Sequence, residues 1–149
     1  MKVKEIMTKD VKSLSGEELV RDALETISKL EISGLPVIDK DRNLLGMFTE
    51  KDILRIILPG YLTQVGAFVY GDDPKNIKNK FLNMHNLKVA EVMNKAVETV
   101  KEDTSLSEAA RLMLTKNVRR MPVLDADKKV TGIISRYDVL AALRRIAEV

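Results

Sequence analysis

The sequence predicts an α+β fold made of two copies of one β-α-β-β-α unit, and three observations carry that prediction. First, the chain of 149 residues matches itself without a gap at an offset of 86, from Val3/Val89 to Leu54/Leu140. Second, each copy holds one apolar stripe at helical spacing: Leu19, Val20, Ala23, Leu24, Ile27 and Leu30 in the first, Leu106, Ala109, Ala110, Met113 and Leu114 in the second. Third, each stripe is followed by two short apolar runs joined by a polar turn, the pattern of a hairpin.

The self-match contains 13 identities over 52 aligned positions, among them Val3/Val89, Glu5/Glu91, Met7/Met93, Pro36/Pro122, Gly46/Gly132 and Asp52/Asp138. An offset this long suggests two half-domains rather than a solenoid. In the first copy Val11–Leu14 is a strand candidate, Glu18–Leu30 a helix, and Leu35–Ile38 with Leu44–Phe48 the hairpin. A second helix then runs from Glu50 to about Leu58, where Pro59-Gly60 stops it. In the second copy Thr104 and Ser105 are good N-caps, and Ser105-x-x-Glu108 fits a capping box. Pro122–Leu124 and Val130–Ile134 form its hairpin, and Arg136 to about Ala147 its closing helix. Pro36 and Pro122 are expected at strand starts, where a missing N–H is tolerated. Neither copy of roughly 55 residues buries much surface alone. The expected division is repeat 1 over 1–60, an insert or connector over 61–88, and repeat 2 over 89–149, the repeats packed about a pseudo-twofold axis.

Composition excludes several classes. There is no Cys and one His, so disulfide frameworks, thiolate nucleophiles and cysteine-ligated metal sites drop out. With 45% apolar and 32% charged residues the chain can bury a core. No apolar run approaches the ~18 residues that span a bilayer, and Met1–Asp10 lacks a signal-peptide core, so the expected location is cytoplasmic with no membrane association. The net charge of +3 is spread along the chain rather than gathered in one block, which disfavours nucleic-acid binding.

The stretches with most chemistry are Gly46-Met47-Phe48-Thr49-Glu50-Lys51-Asp52 and Gly132-Ile133-Ile134-Ser135-Arg136-Tyr137-Asp138. Each falls where a strand becomes a helix, so Thr49-x-x-Asp52 and Ser135-x-x-Asp138 can be simple capping boxes, and the glycines can permit a close backbone approach. The same corner suits a nucleotide. A helix start presents N–H groups and a positive dipole end to phosphate, a hydroxyl can add a bond, and a carboxylate can accept from two ribose hydroxyls.

Taken together, Val3-x-Glu5-Ile6-Met7 and Val89-x-Glu91-Val92-Met93, then Leu35-Pro36-Val37-Ile38-Asp39 and Met121-Pro122-Val123-Leu124-Asp125, then the two Gly-to-Asp stretches, resemble a tandem pair of CBS domains, the Bateman module. The resemblance covers most of 1–60 and 89–149 and not the insert. It implies a non-enzymatic regulatory module with no required cofactor, whose cleft between repeats binds AMP, ADP, ATP or S-adenosylmethionine. It also implies a homodimer and an unidentified protein target acted on in trans. Carried over position by position, Asp52 and Asp138 would hold ribose, Thr49 and Ser135 would lie near ribose and phosphate, and adenine would lie against Ser13, Leu14, Leu35 and Pro36 or Thr99, Val100, Met121 and Pro122. Arg119, Arg120 and Arg136 favour phosphate at the second site through their forked donors. The first site has Ser33, Gly34 and Glu50 at those positions, with Lys51 able to assist. The alternative is a structural or interaction dimer, or a nucleic-acid-binding protein, without nucleotide sensing.

The insert holds four of the chain's six aromatics (Tyr61, Phe68, Tyr70, Phe81) and the single His85, with Asn76–Met84 a candidate basic helix. That composition suits packing over a repeat or a partner better than a loose linker. His85 lacks a ligand cluster, and Asp72-Asp73 reads as a turn. No metal site is expected.

Overall fold

The computed structural model of the protein describes residues 1–58 and 74–148. In chain order the described elements are α1 (Val3–Ile6), α2 (Val20–Leu30), β1 (Gly34–Ile38), β2 (Leu44–Thr49), α3 (Glu50–Ile57), α4 (Pro74–Met84), α5 (Val89–Val92), β3 (Val100–Lys101), α6 (Leu106–Thr115), β4 (Arg120–Leu124), β5 (Val130–Ser135) and α7 (Arg136–Ile146). The fold is the α+β pair of repeats that the self-match predicts.

The chain divides into two compact units that do not follow the order of the sequence repeats. One comprises 1–12, 40–44 and 96–149, the other 13–39 and 45–95. In the first unit a three-stranded sheet of order β3-β4-β5 pairs β3 parallel and β5 antiparallel to β4. Its core gathers Val100, Leu106, Met113, Met121, Val123, Ile134 and Val139 with Val3 and Ile6 of α1. In the second unit β1 and β2 form a two-stranded sheet, and Leu14, Val20, Ile27, Leu35, Val37, Phe48 and Ile53 pack with Met84 of α4 and with Val89 and Val92 of α5. Fully burying a side chain of the Phe48 or Met121 kind contributes about 1.5–3 kcal/mol.

The opening segment of each repeat therefore belongs to the unit built mainly from the other. Val3 N–H donates to Thr104 C=O at 2.8 Å, and Thr8 and Ile133 exchange bonds of 2.8 and 3.0 Å. In the second unit Val89 N–H donates to Glu18 C=O at 2.8 Å, and Met47 and Asn94 exchange bonds of 2.9 and 2.8 Å. This explains the repeated Val-x-Glu-[Ile/Val]-Met stretch. The first and fourth residues enter the core, and the Glu carboxylate caps its own short helix, Glu5 accepting from Lys2 N–H at 2.6 Å and Glu91 from Lys88 N–H at 2.7 Å. The Met lies against the glycine of the other repeat: a Cβ on Gly132 would collide with Met7 Sδ, and one on Gly46 would lie 2.7 Å from Asn94 O and 2.9 Å from Met93 Sδ.

Several local expectations change. Val11–Leu14 is not a strand but makes a single parallel bridge, Leu14 to Val37, because the chain there has just left the other unit. Pro36 and Pro122 sit third in their strands, not at the starts. In β4 the ladder to β3 begins only at Val123, so Pro122 leaves no bond unmade there. Ser105 Oγ accepts from Glu108 N–H at 3.2 Å, but the reciprocal half of the capping box is missing, since the Glu108 carboxylate takes a two-pronged pair with Arg111 at 2.6 and 2.9 Å. That pair holds the exposed Glu108 carboxyl below its usual value. Of the insert, α4 is present and the Phe81 ring meets His85 edge-on at 4.7 Å, while Tyr61, Phe68, Tyr70 and the Gly71–Asp73 turn lie outside the described residues.

The duplication is closer in backbone than in sequence. Glu31 and Asn117, at matching positions after α2 and α6, both adopt left-handed conformations (φ 54° and 52°), as do Arg42 and Lys128 in the hairpin turns (φ 66° and 62°).

Candidate functional site

Register gathers one set of sequence-predicted residues at a single end of the β3-β4-β5 sheet. Arg120 is opposite Ser135 and Met121 opposite Ile134, while β3 enters from the same end, with Thr99 preceding Val100. Arg136 N–H closes the corner by donating to Arg119 C=O at 2.9 Å. The second unit repeats the arrangement: Glu50 N–H donates to Ser33 C=O at 2.9 Å, and Leu14 N–H to Pro36 C=O at 2.9 Å. There β1 approaches β2 so closely that a Cβ on Gly34 would lie 2.7 Å from Phe48 O, whereas Arg120 occupies the matching position of the first unit.

The side chains of Leu14, Leu35, Pro36, Val100, Met121 and Pro122 are buried in the two cores. Any contact they offer a flat ring is through backbone, and the surface at those edges belongs to exposed Ser13 and half-buried Thr99 and Arg120.

The two carboxylates differ. Asp52 is 6% exposed, and its Oδ2 accepts from both Thr49 N–H (2.9 Å) and the Thr49 hydroxyl (3.0 Å), with Arg55 Nη1 at 3.7 Å from Oδ1. Asp138 is half-buried. Its Oδ2 accepts from Ser135 N–H at 2.8 Å and its own N–H donates to Ser135 Oγ at 3.1 Å, which leaves Oδ1 without a partner among the described residues. Both motifs are thus capping boxes, and in the first the Thr49 hydroxyl adds a bond to the carboxylate.

Capping also limits what the helix start can offer a phosphate. At the start of α7 the N–H groups of Ser135, Arg136 and Asp138 are all bonded within the protein, and only that of Tyr137 has no partner among the described residues. The Arg136 guanidinium is turned onto the C-terminal end of α6, donating to Val118 C=O at 3.1 Å and Met113 C=O at 3.3 Å. Nothing in the local spacing signals this second engagement. Arg119 is exposed and unpaired among the described residues, as is Lys51. The surface depressions beside Leu24–Ile32 and Ala141–Glu148 are lined by neither Asp52 nor Asp138. No group of His, Asp and Glu among the described residues could hold a metal ion, and no described helix is long and apolar enough to cross a membrane.

Comparison with known proteins settles the family. The CBS domain profile matches residues 3–59 and again 89–145. The chain belongs to the CBS domain family. The two CBS repeats are 32% identical to the uncharacterized protein MJ1426 of Methanocaldococcus jannaschii over 96% of this chain and 91% of that one. They are 36% identical to the chloroplastic CBS domain-containing protein CBSX1 of Arabidopsis thaliana, over 97% of this chain and 64% of that one. The inosine-5'-monophosphate dehydrogenase of M. jannaschii is 32% identical over 93% of this chain, which spans only 23% of that enzyme. Among solved structures, Arabidopsis CBSX2 in complex with AMP has a TM-score of 0.76 at 28% identity, with 98% of each chain covered.

Proposed function

We propose that this CBS pair is a non-catalytic regulatory module that binds an adenosine-containing ligand, AMP foremost, at the Ser135–Asp138 corner, and passes the bound state to a partner protein. The observation that carries this reading is the Asp138 carboxylate, anchored through one oxygen by Ser135 N–H and open at the other, beside the exposed Arg119. An anchored carboxylate with a free oxygen suits ribose hydroxyls, and the forked donors of Arg119 and Arg120 suit a phosphate. Arg136 has a structural part instead, since its guanidinium caps α6. The AMP complex of the CBSX2 relative supports the ligand class. Asp52, tied to Thr49 through two bonds, makes the first site the weaker of the two.

The test is calorimetric titration of AMP into the protein and its Asp138→Ala and Asp52→Ala variants. Asp138→Ala should lose at least tenfold in affinity, about 1.4 kcal/mol, and Asp52→Ala less than threefold; loss confined to Asp52→Ala overturns the assignment. A thermal-shift panel of AMP, ADP, ATP, S-adenosylmethionine and GTP identifies the ligand, because whatever binds the folded state raises its melting temperature.

A homodimer is part of the proposal. It is supported by the exposed apolar row on α7, where Leu140 is 60%, Leu143 48% and Ile146 57% exposed, and by retention of the exposed Leu at the matching position of α3, Leu54. Light scattering should give a dimer mass that falls to a monomer in Leu140→Glu.

A further inference from the structure

The chain's seven methionines fall into three environments, and two of them combine access with a structural task. Met1 is 52% exposed. Met47, Met84, Met113 and Met121 are buried, none more than 8% exposed. Met7 and Met93 fall between: both are half-buried, Met7 packed on the core that holds Ile6, Val100 and Ile134, Met93 on the core that holds Val89, Val92 and Phe48.

These two residues also close the opening segments of the repeats. Met7 N–H donates to Val3 C=O and Met93 N–H to Val89 C=O, both at 2.9 Å, ending the four-residue helices α1 and α5. Their side chains cover the glycine of the other repeat. The three atoms nearest a Cβ built on Gly132 are Sδ, Cγ and Cε of Met7. At Gly46 they are Asn94 O at 2.7 Å, then Met93 Sδ at 2.9 Å and Cγ at 3.1 Å. A helix of four residues does not hold unaided, so each segment depends on tertiary contacts of this kind.

From this we infer that Met7 and Met93 are a paired modification site for oxygen-atom transfer from a hydroperoxide, and that their sulfoxides loosen the opening segments. The thioether sulfur attacks one peroxide oxygen, so that an S–O bond forms as the O–O bond breaks. The proton of the transferred oxygen passes to the departing one, which leaves as water from hydrogen peroxide or as an alcohol from an organic hydroperoxide. Sulfur is oxidised by two electrons and the peroxide reduced by two. The product sets a polar S–O group where an apolar sulfur met glycine and core side chains, and such burial costs stability. Burial shields four of the other methionines, and exposed Met1 has no core packing to lose. Met7 carries the larger share, because Asn94 helps to cover Gly46 whereas Met7 alone supplies the nearest atoms over Gly132. The site uses none of the residues of the nucleotide reading and stands apart from it.

The experiment treats the full chain with graded hydrogen peroxide and reads peptide mass mapping, amide hydrogen exchange and melting together. Met7 and Met93 should each gain one oxygen at least about tenfold faster than Met47, Met84, Met113 and Met121, since oxidation follows exposure. Once both are oxidised, the amides of Val3–Met7 and Val89–Met93 should exchange at least about tenfold faster, and the melting temperature should fall by about 3 °C. Sulfoxide reductases for the two epimers should restore both readings. Met1→Leu should leave this response intact, and the Met7→Leu, Met93→Leu chain should melt normally and lose it. Met7→Gln, polar and of similar length, should loosen the first segment without peroxide. Should the double variant not fold, mapping and exchange on the unaltered chain decide alone. Oxidation of the pair no faster than that of the buried four, unchanged exchange after both are oxidised, or an undiminished response in the Met7→Leu, Met93→Leu chain overturns the site.

Discussion

The Thr49–Asp52 and Ser135–Asp138 corners descend from one repeated pattern and keep the same backbone bonds, yet they use their side chains differently. In the first, the hydroxyl also donates to the carboxylate and the acid is buried; in the second, the acid is half-buried and one carboxylate oxygen has no partner among the described residues. At the first helical position, Glu50 borders an open depression while Arg136 grips the preceding helix. Duplication thus conserves what the backbone needs and leaves the next contact free to diverge. Here it buries the acid of one corner and leaves that of the other half-buried.

The largest expected difference between the copies is steric. Gly46→Ala drives a Cβ against the Asn94 carbonyl, which is held by its bridge to Met47, and should destabilise by about 2–3 kcal/mol. Gly132→Ala meets chiefly the Met7 thioether, which can swing aside, and should cost about 1 kcal/mol. Urea unfolding of both variants checks the ordering, and equal losses would remove this distinction.

Next come the acids. Asp52→Ala strands two donors in a buried site and should cost about 2 kcal/mol, whereas Asp138→Ala should cost about 1 kcal/mol in urea while carrying the larger loss of AMP binding. Reversal of either order would show that burial does not separate the two corners. Arg136→Met, removing the grip on Met113 and Val118, should lower stability by about 1 kcal/mol and leave AMP affinity within threefold, as read by melting and calorimetry. A tenfold loss of AMP affinity would return Arg136 to the phosphate. The smallest effect is a gain. Lys128→Gly, relieving a left-handed turn residue with no side-chain partner among the described residues, should stabilise by about 0.5–1 kcal/mol. Arg42→Gly at the matching turn should gain nothing, since the Arg42 guanidinium donates twice to Val130 C=O at 2.7 and 2.9 Å.

Much of the fold was legible in the sequence because its signals are local. The stripes over α2 and α6, the hairpins and the strand-to-helix corners are written within about ten residues each, and the offset of 86 tied the copies together. The short helices α1 and α5 were not legible, because four residues do not form a helix unaided and their hold is a Glu cap plus a core from elsewhere in the chain. Register brings the candidate residues Arg120, Met121 and Ser135 to one end of the sheet. The direction of Arg136 was not legible, since a guanidinium on a helix start looks the same in sequence whether it faces a phosphate or a neighbouring carbonyl.

Periodicity, capping chemistry and an internal repeat thus determined by themselves the order of the long helices and hairpins, the α+β class and the residues that meet at each corner, since those depend on neighbours a few positions apart. Only the tertiary structure decided that each opening Met closes over the other repeat's glycine, that Asp52 is buried while one Asp138 oxygen has no partner among the described residues, and that Arg136 turns onto the carbonyls of Met113 and Val118. Those outcomes depend on which side chains distant segments bring within 3 Å, and spacing along the chain carries no record of that.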